Sequence, residues 1–274
     1  ALLGYYFFRF PGALFVFFIG GLIDQLNKNS SSSFQSWVSS TSKSKTFQLN
    51  LLALSATVIK ADGKIKRIFV THTHTDHSPA ALPISKELKI PMYGRLVDGK
   101  SEWEDETFEP DVVLNHGDHI STDEYSIEVI HTPGHASNHL CFYIKDFKCL
   151  LTGDHIMDGS TVVIGPPDGS MQAYLDSLEL LKNYDIDYFA PGHGNYMQEP
   201  SKTIDSIIRH RLTRESKVLR CVGKNNKSNL DELLLLVYDD VPEVLHPIAK
   251  YSLEAHLIKL IAVSYTHLTL PTKA

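Results

Sequence analysis

The chain reads as an α/β protein with a smaller helical unit toward its C-terminal end. Three observations carry that reading. Residues 65–70, 126–130, 147–151 and 187–190 are short apolar or alternating runs of the kind that form strands. Between them lie 78–88 and 171–184, where apolar residues recur at three- and four-residue spacing, as in helices packed on one side. From Ser201 onward the pattern is helical alone.

Size and composition fit this division. The chain has 274 residues, 43% hydrophobic and 21% charged, enough for one large domain and a small one. A formal net charge of -6 offers no general attraction for nucleic acid, so RNA binding would need a local basic patch. Cys141, Cys149 and Cys221 are too few and too scattered for a disulfide framework, and a cytoplasmic, reducing setting is expected. Cys141 and Cys149 sit in apolar runs and are expected in the core.

Residues 1–47 are unlike the rest. An apolar, aromatic stretch interrupted by Arg9 and Pro11 is followed by a Ser-, Asn- and Lys-rich stretch. The length would suit a membrane span or signal segment, but no charged start precedes it and a Pro interrupts it. The expectation is a segment foreign to the fold, as a wrong reading frame or a fusion would produce, and no membrane partner.

The strand-like run 65–70 leads into Thr71-His-Thr-His-Thr-Asp-His77, which holds four ligand-capable side chains: His72, His74, Asp76 and His77. Alternation along an extended segment would turn His72, His74 and Asp76 to one side and His77 away. Such a split can feed two adjacent metals. Imidazole and carboxylate together suit zinc, and also iron, manganese or nickel. The helix expected over 78–88 has Ala80, Ala81 and Ile84 on its apolar side.

Three further strands each end beside a glycine and a candidate ligand. His135 lies in His131-Thr-Pro-Gly-His-Ala-Ser-Asn-His139, Asp154 in Leu151-Thr-Gly-Asp-His155, and His193 in Ala190-Pro-Gly-His-Gly194. Gly allows the tight turn each position needs, and loops at strand ends are where α/β proteins gather function. His139 and His155 are expected to support the ligands or face a substrate, and His116, His119 and His131 to be loop residues. Residues 159–170, rich in Gly and Pro, are either a substrate wall or a plain connector.

The helix over 171–184 carries Tyr174, Leu175, Leu178 and Leu181 at core spacing. Helices follow at 201–222, 230–238 and 247–261, with Pro247 in a favourable first-turn position. In the first of these, Ile204, Ile207, Ile208, Val218, Leu219 and Val222 form the expected apolar side. Arg209, His210, Arg211, Arg214, Lys217 and Arg220 form the other, either a solvated face or a phosphate-contacting patch. Residues 263–274 resemble a translated sequencing adapter, so no function is assigned to His267.

With these motifs in place, residues 50–262 resemble the metallo-β-lactamase-fold hydrolase superfamily. The HxHxDH pattern is highly specific to it. The resemblance implies an αββα sandwich, expected here without its N-terminal strands, because residues 1–47 lack the superfamily's usual opening strands and Asp-x-Gly turn. It implies a domain over 48–200 and a winged-helix-like helical domain over 201–262. It also implies two divalent ions, zinc first, with manganese or iron as alternatives. His72, His74 and His135 would hold one ion, Asp76, His77 and His193 the other, and Asp154 both. Asp76 would also orient an attacking hydroxide and so act in catalysis. Flavo-diiron oxygen reductases replace the second His with Glu, so His74 favours hydrolysis.

The C-terminal helices, the run Arg209-His-Arg-Leu-Thr-Arg-Glu215 and residues 153–178 resemble the lactamase-beta-2-like branch. That implies a phosphodiester substrate in single-stranded RNA. Alternatives are a small-molecule thioester, as in glyoxalase II, a β-lactam, or a non-catalytic metal-binding protein. No haem motif or nucleotide-binding Gly-rich loop is present.

Overall fold

The computed structural model describes residues 14–15, 65–99, 103–122, 125–224 and 229–269. Two sheets face each other. The first has the order β1 (Leu14–Phe15), β2 (Ile68–Phe69), β3 (Met92–Gly94), β4 (Val112–Val113), with every pairing parallel. The second runs β10 (Met197–Gln198), β9 (Tyr188–Pro191), β8 (Cys149–Gly153), β7 (Leu140–Ile144), β6 (Ser126–His131), β5 (His119–Ser121). Its strands pair antiparallel except β8 with β9, which run parallel.

Side-chain alternation on β6, β7 and β8 builds both cores. Ile127, Val129, Phe142, Ile144 and Leu151 point inward and meet Phe69 from the first sheet. Ile130, Cys141, Tyr143 and Leu150 point outward to helix α2 (Met171–Leu181), which returns Tyr174, Leu175 and Leu178. Ser170 caps α2 by accepting from the Ala173 N–H. Helix α1 (Ala81–Leu88) buries Ala81, Pro83 and Ile84 beside β3. The layers are therefore helix, sheet, sheet, helix, as the sequence implied.

Three further helices follow. They are α3 (Pro200–Lys224), α4 (Leu230–Val237) and α5 (His246–Thr269). They have a core of their own around Val218, Leu233, Val237 and Leu253. Asn229 and Glu232 close α4 with a reciprocal capping box. Ile204 and Ala255 join the large outer core and bind this unit to α2.

Several expectations are corrected. The strand expected at 147 begins at Cys149, because Lys145–Phe147 form a 3-10 turn that ends in left-handed Lys148. His119 and His131 lie in strands rather than loops. Leu219 and Val222 are exposed, whereas Arg211 and Arg214 are buried. Arg214 makes two hydrogen bonds to the Asp240 carboxylate and lies over the Tyr238 ring, so this part of the basic face is taken up inside the fold, while Arg209, His210 and Arg220 are exposed. Leu14–Phe15 supplies an edge strand from the segment expected to be foreign. The remainder of 1–47, including Asp24, lies outside the described residues, as do 270–274. Helix α5 continues through residue 269, past the expected end at 261.

Candidate metal centre

The ligand-bearing loops meet at one end of the sandwich. After β2, the Thr71 carbonyl accepts from the Leu140 N–H at 2.7 Å, which ties the loop to β7. His74 then makes an isolated bridge with Glu104. A turn follows, with the His77 N–H donating to the His74 carbonyl at 2.9 Å. That turn overrides the expected alternation. It brings the His77 ring within 4.1 Å of the His72 ring centroid and separates Asp76 from His72 and His74.

Four overlapping groups of ligand atoms result, each within 4.8 Å: His72, His74 and His135; His72, His77 and Asp154; Asp76, His77 and His193; and His74, Glu104 and Asp168. Asp154 Oδ2 lies 3.3 Å from His77 Nε2, 3.5 Å from His193 Nε2 and 3.9 Å from His135 Nε2. Asp76 Oδ2 lies 3.6 Å from His77 Nε2 and 3.5 Å from His193 Nε2. All seven residues singled out from the sequence are brought together.

Close glycines allow this convergence. Gly153 has φ +48° in the turn before Asp154, and a Cβ there would meet His139 Nε2 at 2.7 Å. The Gly192 N–H donates to the Gly153 carbonyl at 2.7 Å, holding the loops of Asp154 and His193 side by side. A Cβ on Gly192 would fall 2.6 Å from Asp154 Oδ1.

Supporting hydrogen bonds set the tautomers. The Val163 carbonyl accepts from His135 Nδ1 at 2.7 Å, which leaves the Nε2 lone pair for the centre. The Asp154 N–H donates to His139 Nε2 at 3.1 Å, so His139 carries its proton on Nδ1, 2.9 Å from Thr132 Oγ1. His139 thus fixes the backbone of Asp154. His155 is fully buried against Tyr174 and His139 and faces no substrate.

Buried atoms without hydrogen-bond partners include His72 Nε2, His135 Nε2 and Asp154 Oδ1. Buried polar atoms are normally satisfied, and these belong to side chains whose ligand atoms cluster in overlapping groups, as metal ligands do. Burial lowers the pKa of His72 and His135 and takes His74 down to about 3, so these imidazoles are neutral and able to ligate. Burial alone would raise Asp154, but His77, then His193 and His135, outweigh it and hold the carboxylate ionised. Burial also opposes ionisation of Asp76, yet a hydrogen bond from His193 and the charge of His77 bring it to about 2. Burial would lower His77, and Asp154 reverses this, drawing onto it a positive charge that a divalent ion would supply. The residues present fit two divalent cations.

Beside His74 and His135 opens a shallow cleft, also lined by Trp103, Val163, Gly165 and Asp168. Residues 159–170 therefore form a wall of the site. Trp103, Glu104 and Asp168 escaped the sequence reading. Glu104 accepts from Thr73 Oγ1 and lies 3.8 Å from His74 Nε2, yet the bridge that brings it there joins segments distant in the chain. Asn138 was within reach of sequence reasoning. It sits in the quoted His131–His139 motif and donates to Thr73 Oγ1 and the Arg95 carbonyl.

The fold and this centre define a class. Residues 50–193, more than half of the chain, match the Metallo-beta-lactamase superfamily, and residues 230–262 match the Beta-lactamase associated winged helix domain. The chain belongs to the metallo-beta-lactamase superfamily and is a hydrolase of that fold, a family that typically binds divalent metals.

Its relatives include the Beta-lactamase-like protein 2 homolog of Drosophila melanogaster, 29% identical over 72% of this chain and 68% of the relative. The Caenorhabditis elegans homolog is 26% identical over 69% and 63%. The Atrochrysone carboxyl ACP thioesterase of Aspergillus chevalieri is 26% identical over 76% and 65%. The chain thus spans between 63% and 68% of these relatives' lengths. Among solved structures, a beta-lactamase domain protein from Burkholderia ambifaria has the same fold, with TM-score 0.66, 17% identity, and coverage of 81% of this chain and 75% of that one. No helix among the described residues is long and apolar enough to cross a membrane.

Proposed function

We propose that the chain hydrolyses phosphodiester bonds in single-stranded RNA with two divalent ions, zinc first and manganese or iron as alternatives. The observation that carries this reading is the aromatic rim of the metal cleft. Trp103 and Tyr251 are each more than a third exposed and pack edge to face at 5.1 Å, beside His74. Unpaired bases stack on such side chains, and sequence-tolerant binding of single strands uses them. The similarity to the two Beta-lactamase-like protein 2 homologs supports it.

Bound at this centre, two divalent ions would activate water at neutral pH and offer positive charge to the phosphoryl oxygens. His72, His74 and His135 would hold one, Asp76, His77 and His193 the other, and Asp154 both. Asp76, ionised and half-exposed, reaches the centre through Oδ2 and would orient the nucleophile there. His139 keeps Asp154 in place. The rim excludes water from one side and positions the base next to the cleaved bond. We divide the chain into a catalytic unit, 48–200, and a helical unit, 201–262. Buried free Cys141 and Cys149, their thiols pushed up to about 12 by burial, suit a reducing, cytoplasmic setting.

A second reading is favoured by the similarity to the Aspergillus thioesterase, namely hydrolysis of a thioester by the same residues. One experiment separates them. The zinc- or manganese-loaded chain and its His74→Ala variant are given a single-stranded RNA and, separately, an acyl thioester. RNA cleavage lost in the variant is expected. Intact RNA with thioester turnover lost in the variant overturns the RNA reading in favour of the second.

A further inference from the structure

Three consecutive residues of the loop before α2 are held by three different parts of the molecule. The Val162 carbonyl accepts from the Arg211 guanidinium on α3. The Val163 carbonyl accepts from His135 Nδ1 at 2.7 Å. The Ile164 N–H donates to Ser252 Oγ on α5 at 3.4 Å. Val162 and Ile164 are both buried, so the stretch is pinned on either side of the acceptor that His135 uses.

Arg211 is only 3% exposed. Its guanidinium carbon sits 5.3 Å from the Tyr174 ring centroid, and Tyr174 packs against Gly134, where an added Cβ would lie 2.4 Å from Tyr174 Cα. Arg211 therefore backs both sides of His135: the turn that carries it, through Tyr174, and the residue preceding the one whose carbonyl orients it. Burying a guanidinium costs more than burying an apolar side chain of like size unless its hydrogen bonds fix something. Here the bond to the Val162 carbonyl fixes a stretch of backbone next to a ligand.

We infer that Arg211, helped by Ser252, is a positioning residue for His135, so that the helical unit tunes the metal position formed by His72, His74 and His135. The inference rests on the metal-binding reading of the centre but not on the RNA substrate. A ligand imidazole whose second nitrogen loses a fixed acceptor reorients and binds more weakly, by about 10- to 100-fold. The position formed by Asp76, His77 and His193 touches neither Val163 nor Arg211 and is left unchanged.

The test is titration of the whole chain with zinc alone against a chelating competitor, for the parent, Arg211→Met, Arg211→Lys, Ser252→Ala and Val237→Ala. Val237 is buried in the helical core away from residues 162–164, so its truncation reports general loosening of that unit. Two zinc ions per parent chain are expected. Arg211→Met weakens one of them by about 10- to 100-fold and spares the other, Arg211→Lys restores part of the loss, and Ser252→Ala gives a smaller loss at the same position. Val237→Ala moves neither.

Unchanged zinc affinities in Arg211→Met, or equal losses in Arg211→Met and Val237→Ala, overturn the inference. If Arg211→Met does not fold, Ser252→Ala decides alone: one weakened zinc supports it and none overturns it. A parent that binds two zinc ions, shows the Arg211 effect and cleaves no RNA leaves this inference standing and removes the substrate reading. A parent that binds fewer than two overturns the inference itself.

Discussion

The two metal positions are built to different standards. The one formed by His72, His74 and His135 is buried and braced from outside: His72 Nδ1 lies 3.1 Å from Thr71 Oγ1, His135 is oriented by Val163, and His74 sits on the bridge to Glu104. In the one formed by Asp76, His77 and His193, the Asp76 side chain is 50% exposed and that of His193 31%. Among the described residues, the His193 ring reaches His77, Asp76 and Asp154, all members of the centre itself. The difference teaches that the first position is preorganised by residues outside it, whereas the second is held chiefly by its own members. Asp154 groups with His72 of the one and His77 of the other, as a carboxylate shared by both would.

The largest effect follows from that sharing. Asp154→Ala is expected to weaken both ions and lower turnover by more than the about 10- to 100-fold that a supporting residue contributes. Zinc stoichiometry and rate, measured together, check it, and loss at one position alone would break the comparison. Next comes His193→Ala, expected to abolish the second position and preserve the first. Correspondingly, dialysis of the parent against a chelator should remove one zinc well before the other. Equal release rates would show that exposure does not set the order.

A smaller effect sharpens the contrast between the metal end and the helical unit. Burial lowers His256 from its ordinary 6.5 to about 4, against the opposing pull of Glu215. The unfolded chain therefore binds this proton more readily than the folded one between those values. Stability from this group is fully present above about pH 6.5 and is lost as pH falls toward 4, by at most about 1.4 kcal/mol per pH unit. Denaturation midpoints at pH 7 and pH 5 should converge in His256→Gln, and an unaltered acid dependence would assign it to other groups. Least of all, Lys148→Ala removes a surface pair with Asp185 and should change neither zinc affinity nor rate, as exposed ion pairs contribute little.

Much of this centre was legible in the chain because its ligands sit in dense local motifs. His72, His74 and His77 lie within one turn-bearing loop, and glycine marks the loops of His135, Asp154 and His193. What local pattern does not encode is pairing between distant segments. Glu104 reaches His74 through an isolated bridge, and β3, β4 and β10 are too short to show alternation. The direction of Asp76 was misread because a turn replaces the extended backbone after His74. Arg211 and Arg214 looked like surface charge because their partners, the Val162 carbonyl and Asp240, are supplied by other elements.

Trp103 carries one more consequence. Its ring centroid stands 6.1 Å from that of His74, and the chain contains just two tryptophans, Trp37 and Trp103. In a Trp37→Phe background, the emission of the remaining indole becomes an optical gauge of the centre. Cobalt(II) entering beside His74 would quench it by energy transfer, so the filling of that position could be followed in real time, in an unlabelled protein and without any substrate.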